Sequence, residues 1–228
     1  IGEMIGNIAH QWRQPLAIVN TSLAILKEKN RADMLTKDEI AQKLENMEKR
    51  LVYMSDTIED FMSYYSPDKE KFWFSIDTAV EKALDIIDIE SNERGVKLNL
   101  LLNDKYKIFG LMNEFIQVIV SILSNINDLI KINDLKNTTV TISLFKENGY
   151  ILLTIADECG GVDEKNLSKI FDPYFTTKHK SMGTGLGLHI AKMIIEENMK
   201  GFLSVKNIYN DKNIKVGAEF IIKIKDED

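Results

Sequence analysis

Apolar residues open the chain at Ile1, Ile5, Ile8, Trp12, Leu16, Val19, Leu23 and Leu26, in steps of four and three. That spacing predicts an amphipathic helix. The repeated step of four ends beside Pro15, whose missing N–H and ring clash with the carbonyl of Gln11 predict a local bend and a shift of the seam. The polar stretch EKNRADMLTKDE, residues 28–39, reads as a connection. A second stripe follows at Ile40, Leu44, Met47, Leu51, Met54, Ile58 and Phe61, alternating four and three throughout. Two such helices form an antiparallel hairpin with each apolar face half covered. The simplest cover is a second copy, giving a dimeric four-helix bundle and hence a homodimer.

After SYYSPDKEK the pattern changes. Strands are predicted at 72–75, 96–102, 106–109, 138–146, 149–156, 201–207 and 214–224, alternating with helices at about 77–93, 111–131 and 185–199. The fold class expected is α+β in two domains: the helical hairpin over 1–66, then an α/β sandwich with a mixed sheet over 67–228, its helices on one face.

The bulk properties narrow the partners. With 44% apolar residues in 228, both parts can bury cores, while the apolar run FIQVIVSIL is interrupted by Gln117 and Ser121 and is too short to span a bilayer. No membrane contact is expected within this stretch. A net charge of −6 with both signs interspersed argues against a nucleic-acid-binding surface. The single Cys159 has no internal disulfide partner and fits a reducing, cytoplasmic setting. The first residue is Ile and already lies in helical phase, so a preceding segment, with any membrane anchor, is expected upstream.

Within this frame several residues are candidates for chemistry. His10 lies two residues from both Ile8 and Trp12, which puts it roughly 200° from the seam on a helix, facing solvent. Gln14 shares that face one turn on. Alone, an exposed helical histidine is most often simply solvated; the neighbours change that. The strand YILLTIA ends in Asp157, followed by ECGGVD, so a carboxylate can sit on a pocket floor and accept from the exocyclic amine of adenine while repelling the oxygen of guanine. Further on, MGTGLGLHIAKMIIEE alternates Gly183, Gly185 and Gly187 and runs into a helix, an arrangement that brings backbone N–H groups to phosphates. Between them NLSKIFDPYFTTKHKS carries Phe171, Tyr174 and Phe175, suited to a flap pinned by aromatics, with Lys178 or Lys180 to reach a terminal phosphate. On the helix FIQVIVSILSNINDLI, the residues Ser121, Asn125 and Asp128 form a polar strip beside an apolar one, and the amide oxygen of Asn125 suits Mg²⁺.

In this order the motifs resemble the sensor histidine kinase core over nearly the whole chain. AHQWRQPL looks like the phospho-acceptor box, SILSNINDL like the N box, DECGGV like the first glycine box, FDPYF like the F box and GTGLGL like the second glycine box. The resemblance implies a dimerisation and phosphotransfer bundle joined to an ATP-binding sandwich of the type shared with gyrase B and the mismatch-repair ATPases. It implies that His10 attacks the γ-phosphate of ATP and passes the phosphoryl group to an aspartate of a response regulator receiver domain. Gln14 would orient water for dephosphorylating the regulator, and Asn125 would bind Mg²⁺. The nucleotide site it implies comprises Asn125, Asp128, Asp157, Gly161, Val162, Phe175, Lys178, Gly183, Thr184, Gly185, Leu186, Gly187 and Leu188. His179 and His189 match nothing catalytic and are read as structural or surface residues. Gln11, Ser121 and Cys159 depart from the family pattern, which has an acid, an asparagine and a glycine there. Ser121 and Cys159 favour the alternative of a catalytically weak nucleotide-binding module acting as a phosphatase or platform; an ATPase clamp is a third reading, opposed by the histidine-bearing hairpin.

Overall fold

A computed structural model describes residues 2–32, 34–64, 70–87, 95–102, 104–178 and 185–226, the side chains of 2–15, 49–50 and 53–64 excepted. The chain forms two compact units, one of residues 1–65 with 176–184 and one of residues 66–175 with 185–228.

The first unit is built on α1, Gly2–Arg31, and α2, Lys37–Tyr64, which pack against each other. Helix α1 runs through Pro15 and on to Arg31, so the turn is shorter than the polar stretch predicts. Its ends explain the difference. Thr36 accepts from the N–H of Glu39 at 3.3 Å, as a capping side chain does, and its hydroxyl donates to the Glu39 carboxylate at 3.4 Å where α2 starts. Glu39 also pairs with Lys29 across the turn, and that ion pair holds its carboxyl below the usual range. Within one chain Leu16, Leu23, Leu44 and Leu51 remain 41–54% exposed, whereas Met47 is buried. The seam is therefore half covered, as the stripes predict.

The second unit begins with β1, Phe72–Ser75, and α3, Ile76–Ile86. There follow β2, Lys97–Leu101, β3, Lys107–Gly110, and α4, Met112–Ile132. Strands β4, Thr139–Glu147, and β5, Tyr150–Asp157, form a hairpin. After the short α5, Glu164–Leu167, come α6, Gly187–Met193, continued by a π turn over Ile194–Asn198, and then β6, Phe202–Tyr209, and β7, Lys215–Lys225. The main sheet has the order β2-β4-β5-β7-β6, with β2 parallel to β4 and the other pairs antiparallel. It is a mixed sheet. Strands β1 and β3 run straight into α3 and α4, and they pair with each other as a separate ribbon instead of joining it.

Period-two alternation fixes the inner face of the sheet. Val140, Ile142 and Leu144 of β4, Ile151, Leu153 and Ile155 of β5, and Phe220, Ile222 and Ile224 of β7 are all buried. Cross-strand partners Ile142 and Ile155, then Ile155 and Phe220, make one apolar row. Phe115, Val118, Ile119, Ile122, Leu123 and Ile126 of α4 are fully enclosed, and α3 and α6 flank that helix. Helix α4 is long and apolar enough to cross a membrane by length and composition. Each full burial of such a side chain contributes about 1.5–3 kcal/mol, which accounts for its place at the centre of a core.

Candidate functional site

The carboxylate predicted at a strand end lies on the core-facing row of β5, two residues beyond Ile155, and is 3% exposed. Burial pushes the Asp157 carboxyl up, opposed by backbone N–H groups of Cys159 and Ala218 that donate to it. The Cys159 N–H reaches Asp157 Oδ1 at 2.8 Å. A carboxyl acceptor is thus held at the floor of β5 by backbone geometry, with a desolvation cost to its charged form that a ligand donor would offset.

The loop after Asp157 runs through left-handed backbone that favours glycine. Gly160 and Gly161 have φ of 89° and 72°. A Cβ on Gly161 would stand 2.6 Å from the carbonyl oxygen of Gly217 and 2.7 Å from Asn207 Oδ1. A Cβ on Gly217 would overlap the Asp157 carbonyl oxygen. Cys159, where the family pattern has glycine, is absent from the positive-φ residues among those described, so its backbone accepts a side chain. Its thiol is pushed up to about 12, chiefly by burial and then by the neighbouring Asp157 carboxylate.

A second group of candidates meets at the start of α6. The Cβ position of Gly187 lies 3.8 Å from Ser121 Oγ, which puts the helix start beside the polar strip of α4. Gly185, φ 68°, packs on the backbone of Tyr174 and Phe175, and its carbonyl accepts the Tyr174 N–H at 2.9 Å. Leu186 is buried, whereas Leu188 is half-buried. The aromatic segment is pinned to α6: His189 Nδ1 bonds the Phe171 carbonyl at 3.0 Å, and Lys192 Nζ lies 5.2 Å from the centre of the Phe171 ring. His189, which matches no catalytic motif, therefore holds structure. On α4, Asn125 Nδ2 donates to the Ser121 carbonyl at 3.0 Å, which fixes the orientation of the amide; Asn125 and Asp128 are half-buried.

His10 and Gln14 lie on α1, but their side chains fall outside the described residues, as do Gly183 and Thr184 altogether. Lys178 belongs to the segment grouped with the first unit, where its N–H donates to Thr176 Oγ1 at 3.1 Å. Among the described residues no cluster of three or more His, Cys, Asp or Glu side chains is arranged for a metal ion. Sequence reasoning missed Asn207, whose side chain grips the glycine loop from β6; its only signal was a polar amide in an otherwise alternating strand.

The model for the His Kinase A (phospho-acceptor) domain matches residues 1–70, and that for the histidine kinase-, DNA gyrase B- and HSP90-like ATPases matches residues 110–228, just over half of the chain. The chain belongs to the sensor histidine kinase family. Among relatives of this kinase core, a two-component sensor PprA of Pseudomonas aeruginosa is 27% identical over 98% of the chain, and sporulation kinase E of Bacillus subtilis is 28% identical over 87%. The chain spans about a quarter of the length of these relatives. In fold it is similar to histidine kinase ThkA, solved in complex with response regulator protein TrrA, with a TM-score of 0.68 at 21% identity over 98% of this chain and 61% of that one. It is also similar to Acinetobacter baumannii histidine kinase AdeS, with a TM-score of 0.66 at 19% identity over 96% and 98% of the two chains. The ATPase-family half brings ATP binding with it. The glycine positions that a Cβ would fill and the buried Asp157 carboxylate fit that ligand.

Proposed function

We propose that the chain is the ATP-dependent protein-histidine autokinase core of a two-component sensor, with a phosphotransfer hairpin over 1–66 and a catalytic domain over 67–228. The observation that carries this reading is the buried Asp157 carboxylate held beside a left-handed glycine loop, within a chain whose first part matches the phospho-acceptor domain. An imidazole nitrogen of His10 attacks the γ-phosphorus; the bond from phosphorus to the bridging oxygen breaks and ADP departs. The phosphoryl group then passes to a carboxylate of a response regulator receiver domain. In-line placement and charge neutralisation supply most of the acceleration in such transfers.

Asp157 accepts from the adenine amine, with Gly161 and Val162 beside the base. Phe175 and the stretch Gly185 to Leu188 serve the phosphates, and Gly183, Thr184 and Lys178 are assigned to the nucleotide by their motifs alone. Asn125 and Asp128 face the same nucleotide from α4. Asn125 supplies an oxygen of the hard type that Mg²⁺ prefers. The cation, when bound, neutralises developing charge on the phosphate oxygens. Gln14, one turn beyond His10, orients water for regulator dephosphorylation. The half-covered seam of the hairpin supports a homodimer, and a cytoplasmic setting for the kinase core belongs to the same reading.

Incubation of the chain with γ-labelled ATP and Mg²⁺ tests this reading. The expected product is an acid-labile, base-stable protein label that is lost in His10→Ala. Label persisting in that variant removes His10 as the acceptor; steady phosphate release without label favours an ATPase clamp.

A further inference from the structure

Asn207 makes two side-chain hydrogen bonds to the glycine loop, and none of the family motifs reaches it. Its Oδ1 accepts the Val162 N–H at 2.8 Å and its Nδ2 donates to the Val162 carbonyl at 2.8 Å. One amide side chain thus answers both main-chain groups of a loop residue, as a neighbouring strand would. The same Nδ2 donates to Glu164 Oε1 at 2.8 Å, which also accepts from the Tyr209 hydroxyl at 2.6 Å. Lys215 Nζ adds a second donor to the Val162 carbonyl at 2.9 Å.

The backbone beneath is shaped for this grip. The pairing of β6 with β7 shifts register between Ile208 and Tyr209: Gly217 faces Ile208 while Lys215 faces Tyr209. Val216 is the extra residue of a bulge, and its carbonyl accepts the Gly160 N–H at 2.9 Å. The loop is therefore tied at Gly160 by the bulge and at Val162 by Asn207, with the left-handed Gly161 between the two ties. Space is matched as well, because a Cβ on Gly161 would collide with Asn207 Oδ1.

Resting on the kinase reading, we infer that Asn207 is a positioning residue for nucleotide: it holds the Gly160–Val162 loop in the conformation that receives adenine, without touching the ligand. Removing the grip leaves the sheet intact and lets the loop leave that conformation, so binding bears the cost of re-forming it.

The test uses the full chain and compares wild type with Asn207→Leu, Asn207→Asp and, as a control on the same strand, Lys206→Gln, whose wild-type side chain pairs with Glu219. ATP affinity is measured by calorimetry, apo stability by thermal unfolding, and loop order by amide hydrogen exchange. Asn207→Leu is expected to weaken ATP binding at least tenfold and to expose the Val162 amide to exchange, with Leu153 and Ile155 still protected. Asn207→Asp keeps an acceptor for the Val162 N–H but sets a carboxylate against the Val162 carbonyl and Glu164. Its affinity relative to wild type is expected to recover as falling pH protonates the new carboxyl and restores a donor. Lys206→Gln binds like wild type. Wild-type binding with unchanged affinity in Asn207→Leu overturns the inference. If Asn207→Leu does not fold, a flat pH profile of the Asn207→Asp ratio overturns it instead. Should wild type bind no nucleotide, the kinase reading fails, and Val162 exchange in the variants still decides whether Asn207 orders the loop.

Discussion

Asp157→Asn separates a binding role from a structural one because the two readings move stability in opposite directions. In wild type the carboxyl is 3% exposed, and burial raises it above the usual 3.8. An acid whose folded pKa is raised contributes stability that is complete below its unfolded value and is lost as pH rises through the folded value. The ionised form is thus a cost to the fold, and a neutral amide of the same shape removes it. The substituted amide has one oxygen, with two lone pairs, for the Cys159 and Ala218 N–H groups that donate to the wild-type carboxyl, and keeping it on them turns its NH₂ to the other corner. There the adenine amine meets a donor instead of a charged acceptor. A lost hydrogen bond to a charged group costs about 1.5–3 kcal/mol, or about 10- to 150-fold in affinity. The expected result at pH 7 is weaker ATP binding by that factor with an apo unfolding midpoint equal to wild type or higher. The stability gap should narrow as pH falls and the raised wild-type carboxyl takes up its proton. Calorimetric titration and thermal unfolding from pH 4.5 to 8, on the scale set by these carboxyl values, give both quantities. A variant that loses binding and stability together, or one that binds ATP as wild type does, refutes the reasoning.

Two further substitutions contrast the glycine loop with its cysteine. Gly161→Ala imposes a Cβ at φ 72° against two oxygens and is expected to destabilise the fold by about 1–3 kcal/mol and weaken ATP binding; Cys159→Gly, at a position without that constraint, should leave affinity within about threefold, as titration of both will show. The Cys159 thiol, pushed up to about 12 from a usual 9.0, should alkylate at pH 8 roughly a thousandfold more slowly than a free thiol, and unfolding in denaturant should abolish the protection. Because the Asp157 carboxylate contributes to that shift, Asp157→Asn should speed native alkylation, which mass spectrometry can follow.

The periodic elements were legible because burial follows period. The α4 stripe predicts the helix at 111–131, and it is found at 112–132; the alternation that predicts β5 at 149–156 also puts Asp157 on its inner row. What escaped was structure fixed by single contacts. The start of α2 depends on Thr36 and Glu39, so the hairpin turn could not be bounded from polarity alone. The helix predicted to run to 199 changes to a π turn at Ile194, where Asn198 Nδ2 reaches buried Glu114 Oε2 at 2.8 Å. Apolar spacing at Ile190, Ile194 and Ile195 fits an α-helix as well as a π turn. The ribbon of β1 and β3 has the composition of any short strand pair; its separation from the main sheet follows from the helices each strand feeds.

The same distinction bears on Cys159, which the sequence places among the departures from the family pattern. A glycine in a motif can serve the ligand, the backbone angle, or neither. In this loop φ exceeds 70° at Gly160 and Gly161 and not at residue 159, and a Cβ would meet Gly217 and Asn207 at Gly161 but nothing at Gly160. The side chain of Cys159 occupies space that the backbone leaves open, and its N–H still serves the Asp157 carboxylate. Its thiol, pushed up to about 12 chiefly by burial, adds no charge beside the Asp157 carboxyl at neutral pH. The departure therefore gives no physical reason for a weakened pocket, and the case for a catalytically weak module rests on Ser121, whose hydroxyl faces the start of α6.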